Sequence, residues 1–135
     1  MSETHPALEA AQNSWRCVQG KDKEGWLALM ADNVCMEDPI GVAFTNPTGE
    51  GVKGKEEISR FYDTNIGPSS ISIEVHESHV AANTSAHVMT LTTTLPNGTK
   101  SKVRGIFTYY VDDDGKITNL RGYWQMSDMT FEEPS

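Results

Sequence analysis

Among the residues that could do chemistry, Asp38 holds the most telling place. It closes the run Val34-Cys35-Met36-Glu37-Asp38 and is followed at once by Pro39, Ile40 and Gly41. In a strand, side chains alternate between two faces, so Val34, Met36 and Asp38 share one face and Cys35 and Glu37 the other. Pro39 has no N–H to give a neighbouring strand, which leaves Asp38 at the mouth of an apolar face. A carboxylate there is either a general base in a partly dry site or a residue that starts a turn, and the run leaves both open.

Other candidate chemistry is weaker. His76 and His79 flank Glu77-Ser78, while His5 and His87 stand apart. No pair has the i, i+4 spacing of a helical zinc site, and no cysteine pair joins them. His87 falls on the inward side of its strand, where a buried, hydrogen-bonded histidine is the ordinary outcome. Gly49-Glu50-Gly51-Val52-Lys53-Gly54 spells G-x-G-x-x-G, but no strand precedes it and no parallel βαβ unit surrounds it. Read as a phosphate loop, it has Glu56 where Ser or Thr is required. It is read as a flexible loop leading into a helix. No G-x-S-x-G is present. No metal or cofactor is expected.

The 135 residues suit one domain spanning 1–135, long enough for a sizeable core. A net charge of -8 argues against nucleic acid and anionic membranes and fits a small, weakly charged ligand. Cys17 and Cys35 lack framework spacing and are expected as buried free thiols in a reducing compartment. With no signal-like N-terminus from Met1 and no apolar stretch of membrane length, the cytoplasm is the expected location.

The elements that must position Asp38 follow from periodicity. Thr4 or His5 before Pro6 starts a first helix, with Leu8, Ala11, Trp15 and Val18 on one stripe. Asp22 caps a shorter helix carrying Trp26, Leu29 and Met30, closed by Asn33. The Asp38 strand comes next, then a polar loop from Gly41 to Gly54. A third helix from Lys55 carries Ile58, Phe61 and Tyr62 and stops at Gly67-Pro68. The period then changes to two: Ile71, Ile73 and Val75 alternate, and Ser85 to Leu95 places His87, Met89, Leu91 and Leu95 on one face. Turns at Pro96-Asn97-Gly98-Thr99 and Asp112-Asp113-Asp114-Gly115 bound the strand from Lys100 to Val111. A last strand runs to about Ser127, and Met129 and Phe131 cover something beyond it. The order α-α-β-α-β-β-β-β predicts an α+β domain, its three helices on the concave face of a cone-shaped, curved antiparallel sheet. Phe107 and Trp124 point inward, and Gly105 and Gly122 leave space in the cone. Ile106, Thr108, Tyr110 and Tyr123 face outward, apolar enough to predict a homodimer through the convex face.

At Glu37-Asp38-Pro39-Ile40-Gly41 the chain resembles a known family. Gly20-Lys21-Asp22, Trp26 and Met30-Ala31-Asp32-Asn33 upstream occur in the same order, with Gly54-Lys55-Glu56, Phe61-Tyr62, Gly115-Lys116-Ile117 and Gly122-Tyr123-Trp124 downstream. Together they resemble the ketosteroid isomerases of the nuclear-transport-factor-2-like (SnoaL-like) cone fold, and most of all the actinobacterial steroid delta-isomerase-like branch. The resemblance implies a double-bond shift in a 3-oxo-steroid, with Asp38 as the base that takes and returns the proton. In that family a tyrosine and a protonated aspartate hold the dienolate oxygen. Their positions here carry Ser14 and Phe107, and phenylalanine has no proton to donate. Tyr62 matches a second pocket tyrosine and is the expected replacement donor, with Ser14 or Trp15 contributing. Ser14, Trp15, Phe61, Met89, Phe107 and Trp124 are the expected substrate-binding residues. Rival readings are a non-catalytic steroid or lipid binder, a polyketide cyclase-like proton-transfer enzyme, and a protein-interaction module.

Overall fold

The computed structural model describes residues 5–133; the Thr4 alternative for the first helix start, and the stretch from Met1 read for a signal, lie outside them. Helix α1 (Pro6–Gln19) begins as expected at His5. Its Nδ1 accepts the Ala7 N–H at 3.1 Å, and proline sits in the first turn, where its missing N–H is not needed. The buried stripe is Ala7, Ala10, Ala11, Ser14, Trp15 and Val18, joined by Cys17. Ser14 thus faces inward, while Leu8 is half-buried at the stripe's edge. Helix α2 (Lys23–Ala28) is capped by Asp22, which accepts the Gly25 N–H at 2.9 Å. It ends earlier than its periodicity implies. Met30 already pairs with Ile117, so strand β1 (Met30–Glu37) takes over the residues expected to finish the helix. Sheet pairing overrides a short helical period.

After β1 come a two-residue strand β2 (Val52–Lys53), helix α3 (Gly54–Phe61) and a wide π-helical turn, Tyr62–Ile66. Four long strands follow: β3 (Ser70–Ala81), β4 (Thr84–Thr94), β5 (Lys100–Val111) and β6 (Ile117–Tyr123). A short β7 (Thr130–Glu132) pairs with β5. The sheet order is β2-β1-β6-β5-β4-β3. Every pairing is antiparallel except β1 with β6, which is parallel and corrects the expectation of a wholly antiparallel sheet. Register shifts between Val75 and Glu77 and between Tyr110 and Val111 bend the long strands, which wraps the sheet around the helices. Helix α1 packs on β3, β4 and β5, and α3 on β1. This is the expected α+β cone, with three helices over the concave face.

Two further expectations change. The last strand stops at Tyr123, and a 3-10 turn, Met126–Asp128, turns the chain back toward β5. The stretch from Gly41 to Gly54 is not merely a polar loop. Ala43 and Asn46 are buried, and Val52 and Lys53 pair with Met36 and Cys35. Asn46 replaces the missing backbone partners. Its amide donates to the Pro39 carbonyl at 3.0 Å and accepts the Gly51 N–H at 2.9 Å. Ile106, Tyr110 and Tyr123 are exposed on the convex face, and no helix among the described residues is long and apolar enough to cross a membrane. Both cysteines are free; Cys17 is buried, but Cys35 is only half-buried.

Candidate active site

The parallel pair sets the position of Asp38. Met36 lies opposite Leu120 and Glu37 opposite Arg121, so the next step along brings Asp38 beside Gly122. Ile40 N–H confirms the register by donating to the Gly122 carbonyl at 3.0 Å. Val34 and Met36 are buried as the alternation requires, while Glu37 on the other face accepts from Arg121 Nε at 3.3 Å. Asp38 Oδ1 accepts the indole N–H of Trp124 at 2.8 Å.

That contact exists because two glycines make room for it. A Cβ on Gly122 would lie 2.5 Å from Asp38 Oδ1, 2.9 Å from Trp124 Nε1 and 3.0 Å from the Phe107 ring. A Cβ on Gly105 would lie 2.8 Å from the Tyr123 carbonyl oxygen and 3.2 Å from Trp124 Cβ. Behind Asp38, Thr45 Oγ1 donates to its backbone carbonyl at 2.5 Å, and Asn46 holds the Pro39 carbonyl. The carboxylate is therefore aimed from three sides.

It is aimed into a cavity of about 520 Å³ with mostly apolar walls. Ser14, Trp15, Phe61, Met89, Phe107 and Trp124 all line it with Asp38. Met126, Met129 and Phe131 line it too, so the tail covers the cavity, as expected of Met129 and Phe131. No ion pair among the described residues involves Asp38. Burial raises its pKa from 3.8 to about 6, against the opposing hydrogen bond from Trp124. Such a carboxylate is ionised at neutral pH and a stronger base than one in water.

A second polar cluster meets the same cavity. Trp26 Nε1–H donates to Ser14 Oγ at 3.0 Å, and Trp15 Nε1–H donates to Tyr109 Oη at 2.9 Å. Ser14, Trp15, Trp26 and Tyr109 are all buried and all line the cavity. Burial raises the Tyr109 pKa; the hydrogen bond from Trp15 opposes the rise, and the Asp38 charge adds to it. His87 supports this cluster from behind. Its ring meets Trp15 edge-on at 4.7 Å and Tyr109 at 5.6 Å. Ser85 Oγ donates to the Ala7 carbonyl and so accepts from His87 Nε2, which leaves Nδ1 to accept from Ser78 Oγ. This is a neutral histidine with both nitrogens satisfied, its pKa pushed down to about 4 by burial. It is absent from the cavity lining.

Tyr62, expected as the replacement donor, is not among the lining residues either. Its ring is tilted against Trp26 at 5.8 Å and lies under the Lys23 ammonium. The groups that act on its hydroxyl are Asp22, Lys23, Asp63 and Cys17, on the helical side. The reason is local: consecutive helical residues do not face the same way, so with Phe61 at the end of α3 lining the cavity the tyrosine packs against Trp26 instead, and Thr64 and Asn65 of the wide turn join the lining. Phe44 and Thr45 line the cavity from the stretch read as a polar loop, and only the hydrogen-bonding role of Asn46 could have signalled it. Tyr109 shares the inward face of its strand with Phe107, but its pairing with Trp15, 94 residues away, had no sequence signal. Among the described residues no group of three or more His, Cys, Asp or Glu is placed to hold a metal ion.

The SnoaL-like domain profile matches residues 11–120, most of the chain. The chain belongs to the SnoaL-like, ketosteroid isomerase-like family. Solved members of this family agree. The delta 5-3-ketosteroid isomerase from a Mycobacterium species is 54% identical, with a TM-score of 0.94 over 96% of this chain and 100% of that one. RV0760c from Mycobacterium tuberculosis, solved with estradiol-17beta-hemisuccinate, is 49% identical, with a TM-score of 0.92 over 95% and 100%. A computationally designed 17-OHP binder is 46% identical, with a TM-score of 0.94 over 96% and 100%. No curated protein matches the chain. Of the two positions at which the sequence resemblance implied oxyanion donors, Ser14 accepts from Trp26 and Phe107 adds only apolar wall.

Proposed function

We propose that this protein is a steroid delta-isomerase-type enzyme that shifts a double bond in a 3-oxo-steroid or a similar flat, apolar ketone. The observation that carries the reading is an unpaired carboxylate, held by one indole N–H, inside an apolar cavity of about 520 Å³. That volume falls in the range of small-molecule sites, roughly 300–1,000 Å³. Asp38 takes a proton from the carbon next to the ketone and returns it two carbons along, on the same face of the ligand. Its raised pKa suits both halves of the transfer, because a base near the working pH also gives the proton back readily. Phe61, Met89, Phe107 and Trp124 hold the flat ligand, and Trp124 fixes the carboxylate through Oδ1, leaving its other oxygen for the proton.

The chain acts as a single domain in the cytoplasm and pairs as a homodimer through the convex face, where Ile106, Tyr110 and Tyr123 are exposed. Light scattering that finds only monomer would remove the dimer.

The test is to mix the protein with a β,γ-unsaturated 3-oxo-steroid and follow the conjugated enone by ultraviolet absorbance. The enone is expected to form above background and to stop forming with Asp38→Asn. One observation favours a second reading, a non-catalytic steroid or lipid binder: Phe107 makes the wall apolar at the position where the sequence resemblance implies a donor. Tight binding of the conjugated product with no turnover would select that reading.

A further inference from the structure

We propose that Tyr109 supplies the hydrogen bond to the ligand's carbonyl oxygen, and that Trp15 is the positioning residue that holds its oxygen and leaves its proton for the cavity. The proposal deepens the isomerase reading and rests on it for the chemistry, although the donor itself is testable by binding alone. It follows from counting protons. An indole N–H only donates. Trp26 therefore makes Ser14 Oγ an acceptor, and Trp15 makes Tyr109 Oη an acceptor. Among the described residues no acceptor takes the Tyr109 hydroxyl proton. That proton is left for the cavity that the side chain lines.

A phenol is a stronger hydrogen-bond donor than an alcohol, so of the two cavity hydroxyls that accept an indole proton, Ser14 and Tyr109, the tyrosine is the better donor to the ligand. The indole N–H aimed at its oxygen makes it a better donor still, because it stabilises the negative charge the oxygen takes on. The ring cannot swing away: Trp15 meets it edge-on at 6.2 Å and His87 at 5.6 Å. Asp38 is near enough for its charge to act on the Tyr109 hydroxyl, so base and donor work on one bound ligand. In the reaction, the C–H bond breaks toward Asp38, the electron pair moves through the new C=C bond onto the ketone oxygen, and Tyr109 meets that charge. Reprotonation by Asp38 returns the pair to carbon, and nothing is left over. Tyr109 lies two residues beyond Phe107 on β5, on the same face. The donor missing at Phe107 is thereby replaced one step along the same strand.

Two measurements on Tyr109→Phe test this. With the β,γ-unsaturated 3-oxo-steroid, kcat is expected to fall about 10²–10³-fold while KM changes little. With the conjugated 3-oxo-steroid as a bound probe, the wild-type protein is expected to red-shift the enone absorption, and Tyr109→Phe to abolish the shift. A wild-type protein that gives the shift without turnover, the shift being lost in Tyr109→Phe, upholds the donor and removes only the isomerase reading. An unchanged shift in Tyr109→Phe overturns the donor, as does a wild-type protein with no shift at all. A shift lost in Ser14→Ala but kept in Tyr109→Phe also overturns it, by giving the free proton to Ser14. If Tyr109→Phe does not fold, a fluorotyrosine at 109 keeps the ring and the acceptor while strengthening the donor. It is expected to enlarge the shift, and an unchanged shift then counts against the proposal.

Discussion

Asp38→Asn is expected to make the protein more stable at neutral pH while removing its base. The neutral amide keeps the size of the side chain, and its oxygen still accepts the Trp124 indole N–H, so packing is nearly unchanged. What changes is the cost of holding a charge in the cavity. The Asp38 pKa is about 6 in the folded protein against 3.8 for the exposed side chain, so the folded state binds the proton more tightly than the unfolded state. Its contribution is therefore fully present below about pH 4 and is lost as the pH rises through about 6. At about 1.4 kcal/mol per unit, the loss amounts to about 3 kcal/mol above pH 7. The asparagine variant escapes that loss. Urea denaturation of both proteins at about pH 4 and about pH 8 is expected to give equal stabilities at the lower pH. At the higher pH the variant is expected to gain about 3 kcal/mol, or roughly 10 °C in Tm for a domain of this size. Other titrating groups are common to both proteins and cancel in the difference. A gain that does not depend on pH, or a variant less stable at pH 8, would refute a carboxylate strained by burial.

Trp124→Phe removes the hydrogen bond that holds the Asp38 pKa down, so the acid limb of kcat/KM is expected to move above about 6 in a pH–rate profile. Gly122→Ala drives a methyl group to 2.5 Å from Asp38 Oδ1 and is expected to lower kcat/KM about 100-fold, because a base displaced by about 1 Å no longer meets the C–H bond. Asn46→Ala leaves the Pro39 carbonyl and the Gly51 N–H without partners; urea titration is expected to show a loss of about 1–3 kcal/mol for each group left buried. His87 is held neutral, with its pKa at about 4 instead of 6.5, so it favours the fold above pH 6.5 and loses that contribution as the pH falls toward 4. Asp38→Asn removes the opposing slope in this range, and its stability in urea is expected to fall steadily with acid.

Much of this arrangement was legible in the chain because it follows short-range rules. Alternation put Val34, Met36 and Asp38 on one face and Phe107 and Trp124 inside, and the Asn-Gly and Asp-Gly turns marked the long hairpin strands. What escaped depends on which strands become neighbours. Nothing in the residues of β1 says that its partner is β6 and parallel, yet this pairing sets Asp38 against Gly122 and makes the glycine necessary. The stretch after Asp38 looked like solvent-facing loop because its polarity is high, but one buried amide, Asn46, satisfies the backbone that a strand would otherwise satisfy. Tyr62 was expected in the cavity with Phe61, but neighbours in a helix point about 100° apart, so with Phe61 lining the cavity the tyrosine packs against Trp26.

The polar groups of the cavity divide according to what they can still give. Asp38 has one oxygen committed to Trp124 and a proton affinity raised by burial, so what remains to it is to accept from a ligand. Ser14 and Tyr109 each accept an indole proton, and Tyr109 keeps its own hydroxyl proton, so what remains to it is to donate. Apolar side chains such as Phe107 and Met89 line the cavity with them and hold a flat ligand without competing for either proton. A ligand that satisfies both ends carries a proton to give at one, as an O–H or an acidic C–H, and an oxygen acceptor at the other. An enolisable ketone meets that description and a simple hydrocarbon does not. Phe107 at a usual donor position therefore does not by itself argue for passive binding, because the proton it cannot supply is available two residues farther along the same strand.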